Sequence, residues 1–289
     1  MRSRWKSCLV WIGVGLFALL GLCLGAYLLL FQGRPAPVPV KHKLYEGVTY
    51  YRKVRFLPRL MVAHVLIVDT RLEGIRFLVT PPADDGQLRA RTTSQFLDEF
   101  DLQIAVNGDG FYPWHSYSPA DYYPHVGDAV TPNGYAASLG KPYSDGNEPT
   151  LFISRRNGLS FNKMPGRVYN AISGDRMLVL QGQPVEGLDN VELDPRTAVG
   201  INKNGRWLIL VMVDGRQPFY SQGATFMELA EILMDNGAYF AMNLDGGGSA
   251  TMVIAGPDGG PQILNSPIDN YIPGRERPVA NHLGIYIRE

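Results

Sequence analysis

The chain has 289 residues, with 27 basic and 27 acidic side chains, 45% hydrophobic and 11% aromatic residues. That balance exerts no electrostatic pull toward nucleic acid, and the apolar share is enough to bury a sizeable core. The 32 glycines and 21 prolines favour many strands over long helices.

Arg2, Arg4 and Lys6 precede an apolar run from Cys8 to Phe31. As a helix this run extends about 36 Å, enough to span a bilayer core. It is longer than the apolar part of a cleaved signal peptide, and its exit, Leu28-Leu29-Leu30-Phe31, is bulky. Leu20-Gly21-Leu22 before Cys23 is a poor lipoprotein processing site. Residues 1–31 therefore read as a transmembrane signal anchor, with contact to the membrane through residues 8–31. The basic N-terminus predicts a single-pass protein with that end cytoplasmic and the rest exported, periplasmic or extracellular. Arg34, Lys41 and Lys43 on the far side reduce this asymmetry. Both cysteines, Cys8 and Cys23, lie in the anchor, so the remainder has neither disulfides nor thiolate metal sites.

Residues 32–43 form a Pro-rich linker, extended and semi-rigid through Gln32 to Val40. Residues 44–289 read as one domain, without a second linker or a solenoid repeat. Val48 to Leu57, Leu60 to Asp69 and Ile75 to Val79 are expected strands, and His64, inside an apolar run, is expected to be a satisfied core histidine. Thr92 and Gln95 form a capping box that opens a short helix through Phe100. Leu102 to Val106 is a buried strand that ends in Asn107-Gly108-Asp109-Gly110-Phe111. Tyr112 to Tyr143 is a long segment rich in Pro, Gly, Tyr and His, containing His115, Asp121, His125 and Asp128. It is read as a long loop, either a sugar-facing lid or a packed surface segment. Thr150 to Phe161 suggests a hairpin, and Tyr169 to Leu180 a strand followed by a turn. Arg196 heads an apolar strand through Ile201, where a guanidinium must be paired or face a site. Trp207 to Val213 is a strand that ends in Asp214-Gly215-Arg216. Thr225 and Glu228 form a second capping box, and Phe226, Leu229, Ala230 and Leu233 give its helix an apolar face.

Ala238 to Leu244 is an apolar strand, followed by Asp245, Gly246, Gly247, Gly248 and Ser249 and then by a β-branched strand through Ile254. Three consecutive glycines cost backbone entropy, so a stable domain carries them for a reason. One reason is a turn; another is a concave nest of N–H groups around an anion. The loop lacks the Lys of a Walker motif and the following helix of a dinucleotide fingerprint. Val279 to Ile285 closes the sheet.

Asn243 to Met252, NLDGGGSATM, closely resembles the signature of the phosphodiester glycosidase family, which includes the enzyme that uncovers mannose 6-phosphate and bacterial envelope homologues. Asn170 to Gly174, Pro195 to Gly200, Val213 to Arg216 and Pro278 to Asn281 resemble further motifs of that family, in the expected order. Asn107 to Phe111 departs from the family's Asn-Gly-Gly-Phe-Phe at Asp109 and Tyr112. The resemblance implies hydrolysis of a sugar-1-phosphodiester at its glycosidic C–O bond. Such a site must hold an anion, stabilise an oxocarbenium-like centre and direct a nucleophile. A phosphate monoester is a weak base and leaves with little acid assistance.

The expected catalytic groups are Asp245 as nucleophile or general base, Asp214 as second choice, and His115 or His125 as proton source. Arg196 and Arg216 are expected on phosphate oxygens, with Gly246, Gly247, Gly248, Ser249 and Thr251 as further donors. Asn107, Asn243 and Asn281 suit sugar hydroxyls. No cofactor is required; carboxylate and amide oxygens would suit Ca²⁺, but no spacing is diagnostic of a metal. The fold class expected is α+β, a strand-rich mixed sheet domain with a few flanking helices, preceded by one N-terminal transmembrane helix. The partner expected is a glycan or glycosyl phosphodiester, not nucleic acid. A rival reading is a non-catalytic envelope module that binds an anionic polysaccharide through the same arginines. A third is a scaffold for a partner protein, which would show a broad apolar patch.

Overall fold

The computed structural model describes residues 2–31, 34–163 and 166–288, without the side chains of 2–10 and 29–31. Gln32 and Gly33 of the predicted linker, and the side chains of Arg2, Arg4 and Lys6 used to orient the anchor, lie outside the described residues. The first helix, α1 (Arg2–Phe31), begins with basic residues and carries an apolar stretch, Trp11–Leu28, none of it buried within the chain. It is long and apolar enough to cross a membrane, a test that a signal sequence also passes.

The rest is strand-rich, as expected. An eight-stranded sheet runs in the order Val40–Tyr45, Val48–Arg55, Met61–Asp69, Trp207–Val213, Arg196–Ile201, Phe240–Asn243, Arg176–Leu180, Gln183–Pro184. A five-stranded sheet is ordered Pro261–Ile263, Met252–Ala255, Ile104–Asn107, His282–Ile287, Ile75–Val79. Another five-stranded sheet gathers Lys141–Asp145, Tyr135–Ser138, Asn170–Ser173, Thr150–Ile153 and Leu159–Phe161. Neighbouring strands in all three pair antiparallel.

The eight-stranded sheet is covered on both faces, which explains its unbroken apolar runs. Leu208, Leu210 and Met212 pack into the core shared with the two five-stranded sheets. Ile209, Val211 and Val213 alternate to the opposite face, against Phe226, Leu229 and Leu233 of the helix α3 (Phe226–Asp235). The helix α2 (Thr93–Glu99) buries Phe96 and Leu97 against Leu102, Ala105 and Val253. Both capping boxes form as expected, at Thr92 with Gln95 and at Thr225 with Glu228. Glu228 also carries ion pairs from Arg55 and Arg59, so the start of α3 is tied to the Val48–Arg55/Met61–Asp69 hairpin.

Two readings are corrected. The segment read as a long loop carries short strands at Phe111–Tyr112, His115–Ser118, Asp121–Tyr123, Ala129–Pro132, Tyr135–Ser138 and Lys141–Asp145. Strands of two to five residues are too short to display period-two alternation. Tyr169 to Leu180 is not one strand. It breaks at Gly174-Asp175, where the chain passes from one sheet to another, and a Cβ on Gly174 would lie 2.0 Å from the Asn243 carbonyl oxygen.

Replacing Thr225 by Ala is expected to cost about 1 kcal/mol, because the hydroxyl that accepts from the Glu228 N–H is lost. Thermal unfolding should then shift down by about 2–4 °C; an unchanged Tm would contradict this account of α3.

Candidate active site

The strands Arg196–Ile201 and Phe240–Asn243 are hydrogen-bonded neighbours, with Ala198 opposite Asn243. The residue that begins one and the loop that follows the other therefore meet at one end of the eight-stranded sheet. A cavity of about 560 Å³ opens there, lined by Arg196, Arg216, Asn243, Asp245, Gly246, Gly247 and Gly248 among others. Residues separated by almost fifty positions thus share one wall, as the antiparallel register dictates.

The three glycines make room for close packing. Gly247 has φ +58°, and a Cβ on it would lie 3.0 Å from the Arg216 guanidinium. A Cβ on Gly248 would lie 2.5 Å from the Arg277 guanidinium and 2.7 Å from Asp269 Oδ1. The expected nest of N–H groups is partly spent: Gly246 N–H donates to Asp245 Oδ1 at 2.9 Å, and Gly247 N–H to the Pro195 carbonyl at 2.9 Å. What the bare loop provides is room for two guanidiniums to lie across it.

Each guanidinium is held by other groups. Arg216 donates to Asp194 Oδ1 at 2.8 Å and lies over the Tyr271 ring. Arg277 donates to Asp269 Oδ1 at 2.7 Å and lies over the Trp114 ring. Arg196 is 7% exposed, donates to the Ala224 carbonyl at 3.2 Å, and stacks 3.9 Å above the Phe226 ring. Its nearest carboxylate, Glu192, is 3.9 Å away, and burial lowers its pKa. The three cations are fixed in orientation while keeping faces toward the cavity.

Asp245 sits partly exposed at the cavity wall. Its main chain is locked by Asn107 Nδ2, which donates to the Asp245 carbonyl at 2.7 Å, and by its own N–H, which donates to the Gly108 carbonyl at 2.9 Å. Burial pushes its carboxyl up to about 6, opposed by Ser249 and Arg277 and reinforced by the charge of Asp109. Behind it lies a pair of carboxyls, Asp109 and Glu148. Asp109 Oδ2 accepts from Ser173 Oγ at 2.6 Å and from Gly134 N–H at 2.7 Å. Asp109 Oδ1 and Glu148 Oε2 are buried without a hydrogen-bond partner, and a single proton shared between these neighbours satisfies both. Burial and then the Asp109 charge push Glu148 up to about 8.

Other expected site residues are placed elsewhere. Asp214 does not line the cavity. It is 1% exposed, with Oδ2 2.9 Å from His64 Nε2 and Oδ1 accepting from Ser266 N–H at 2.7 Å and Asn265 Nδ2 at 3.2 Å. His64 is the buried, satisfied histidine expected, its other nitrogen 2.7 Å from the Tyr50 hydroxyl. His115 is half-exposed on the His115–Ser118/Asp121–Tyr123 ribbon, stacked between Tyr117 and Tyr123, and also stands off the cavity lining. His125 is exposed beside Asp128. Asn107, Thr251 and Asn281 are buried struts: Asn107 Oδ1 accepts from Thr197 Oγ1 at 2.8 Å and Thr251 N–H at 3.2 Å, and Asn281 Oδ1 from Asp109 N–H at 2.9 Å. Ser249 is buried and accepts from Arg277 at 3.3 Å. Asn243 lines the cavity and donates to Asp175 Oδ1 at 2.8 Å.

Sequence reasoning missed Asp175, Asp194, Arg277, Trp114 and Tyr271, all in the lining. Three had a signal: Asp175 follows Asn170 to Gly174, Asp194 precedes Pro195-Arg196, and Arg277 precedes Pro278 to Asn281. Each adjoins a motif at a strand end, where its side chain turns toward the same rim. Among the described residues, no group of three or more His, Cys, Asp or Glu side chains is arranged to hold a metal ion.

Comparison with known proteins bears on the same segments. A family model described as phosphodiester glycosidase matches residues 100–286. The chain belongs to the phosphodiester glycosidase family. The human N-acetylglucosamine-1-phosphodiester alpha-N-acetylglucosaminidase is 41% identical over 204 residues, covering 62% of this chain and 38% of that protein. The bovine enzyme of the same name is 44% identical over 64 residues, covering 22% of this chain and 12% of the relative. The matched parts thus span under two fifths of these relatives. Two solved structures share the fold: a hypothetical protein from Synechocystis, with TM-score 0.66, 16% identity and coverage of 88% and 64% of the two chains, and the catalytic domain of the zebrafish enzyme of that name, auto-inhibited by its pro-peptide, with TM-score 0.59, 22% identity and coverage of 88% and 85%.

Two expectations test this description. Asp214→Ala would strand the Ser266 and Asn265 donors in the core, so it is expected to cost roughly 3 kcal/mol of stability in denaturant unfolding. Glu148 binds its proton more tightly folded than unfolded. Its contribution to stability is therefore complete below its ordinary value of 4.5 and is lost as pH rises through about 8. Glu148→Gln should flatten the fall in Tm across that window; an unchanged pH profile would contradict the shared proton.

Proposed function

We propose that this phosphodiester glycosidase family member hydrolyses the glycosidic C–O bond of a sugar-1-phosphodiester, with the domain exported and tethered by α1 as a single-pass anchor. The observation that carries the reading is one cavity lined by Asp245 and by Arg196, Arg216 and Arg277. The printed activity of the matched relatives makes N-acetylglucosamine the first sugar to try.

In this reading the guanidiniums hold the phosphodiester and stabilise the departing phosphate monoester, a weak base that leaves without a strong acid. Asp245 directs the attack at the anomeric carbon, as nucleophile or as general base to water. A folded pKa of about 6 keeps it ionised at neutral pH and basic enough to take a proton. Trp114 and Tyr271 give the sugar ring apolar faces to lie on, and Asn243 offers an amide to its hydroxyls. Asp214 and His115 have no part in these steps. The envelope of a cell is the setting that a tethered, exported domain implies. Ca²⁺ has no assigned role, because side-chain cations already meet the anion.

The test is release of free sugar by the full chain from a panel of sugar-1-phosphodiesters. Asp245→Asn is expected to lower kcat about 10²–10⁴-fold, and turnover near the wild-type level would remove Asp245 from the mechanism. Activity of the wild type should fall as pH drops through about 6. Arg216→Ala should raise KM about 10- to 100-fold, the equivalent of ~1.5–3 kcal/mol for a charged hydrogen bond. Treatment with EDTA should leave the rate unchanged.

A further inference from the structure

A second cavity, of about 570 Å³, opens at the opposite end of the eight-stranded sheet. The strand Arg196–Ile201 starts at the first cavity and leads through Asn202 to Asn204 and Gly205, which line the second. Six strand residues separate the two by about 20 Å.

The lining of this second cavity is strongly cationic. Arg71, Arg76, Arg155 and Arg156 face Glu73 alone among acidic side chains, in a chain whose net charge is +0. Among the described residues, none of the four guanidiniums makes an ion pair, whereas neighbouring Arg206 is paired to Asp69 at 2.6 Å. Arg71 donates to the Asn204 carbonyl at 3.4 Å and Arg76 to the Ile75 carbonyl at 2.6 Å, neutral partners that leave their charge uncompensated, in contrast to Arg206.

The loops that carry them are locked together. Asn157, 7% exposed and with φ +61°, donates through Nδ2 to the Thr70 carbonyl at 3.2 Å and the Ile75 carbonyl at 2.8 Å. This pins the turn bearing Arg155 and Arg156 to the segment bearing Arg71 and Arg76. Thr70 Oγ1 donates to the Gly205 and Arg206 carbonyls at 3.2 and 3.0 Å, which fixes the third wall. Four exposed guanidiniums on a fixed backbone frame suit several phosphate groups spaced along one molecule better than a single small anion.

We propose that this cavity is a second, non-catalytic binding site for a phosphodiester-linked polyanion. Its ligand is a polymer with repeating phosphates, long enough to occupy this cradle while another unit lies at Asp245. That last link rests on the hydrolytic reading above; the binding itself does not.

The test uses the full chain in detergent and poly(glycerol phosphate), which has repeating phosphodiesters but no glycosidic bond to cleave. Calorimetry across a salt series compares wild type with Arg155→Ser/Arg156→Ser and Arg71→Ser/Arg76→Ser. A control, Lys141→Ser/Lys163→Ser, removes the same charge from exposed positions outside the cavity lining. Both arginine variants should bind about tenfold more weakly, with a shallower salt dependence, while Arg155→Lys/Arg156→Lys recovers part of the affinity. Binding unchanged in the arginine variants, or weakened equally in the lysine control, overturns the proposal. Hydrolysis of a small sugar-1-phosphodiester by the same variants should match wild type. Absence of that hydrolysis in every protein, wild type included, would count against the catalytic reading and leave the binding comparison intact.

Discussion

A carboxylate and three guanidiniums share one cavity, and the chain can bring them together only where side chains are missing. A Cβ on Gly248 would overlap the Arg277 guanidinium, and one on Gly247 would press on that of Arg216. The strand register delivers Arg196 and Asp245 to the same rim, but the bare loop lets Arg216 and Arg277 come in over the top. Asp194 and Asp269 balance the charges of Arg216 and Arg277, and the lining sets three carboxylates, Asp175, Asp194 and Asp245, against its three guanidiniums.

The same geometry shifts protons. The charge of Asp109 raises the proton affinity of both Asp245 and Glu148, and that of Asp245 raises Glu148 further. One proton held between Asp109 and Glu148 lowers the negative charge behind Asp245 and spares the site a full cluster of carboxylates. Asn107, Thr197, Thr251 and Asn281 act at a different level: Asn107 bonds Thr197 across two sheets and holds the main chain of Asp245, while Thr251 and Asn281 brace the strand ends beside it. Polar residues in these motifs therefore divide into groups that face the cavity and groups that brace it.

Much of this was legible in the sequence. Thr92 and Thr225 announce their helices because a capping box is a local chemical pattern, and Trp207 to Val213 announces a strand because both its faces are apolar. The union of Arg196 with Asp245 was legible from motif order. The division of labour among polar motif residues was not, since Asp214 and Asp245 stand in similar strand-to-glycine contexts and differ only in what the fold packs around them. Asp175, Asp194 and Arg277 escaped for the opposite reason: they sit one residue outside recognisable motifs, where direction is set by turns that no local pattern specifies. The second cationic cavity joins Arg71 with Arg155, and no periodicity links positions so distant.

The eight-stranded sheet ends on Val40–Tyr45 at one border and on Gln183–Pro184 at the other. The first carries outward Lys41 and Lys43, and the second is two residues long and finishes in proline. A lysine-studded border repels a like border, and a short one closed by proline offers no ladder to extend. Neighbouring copies are therefore steered away from fibrous aggregation through their largest sheet.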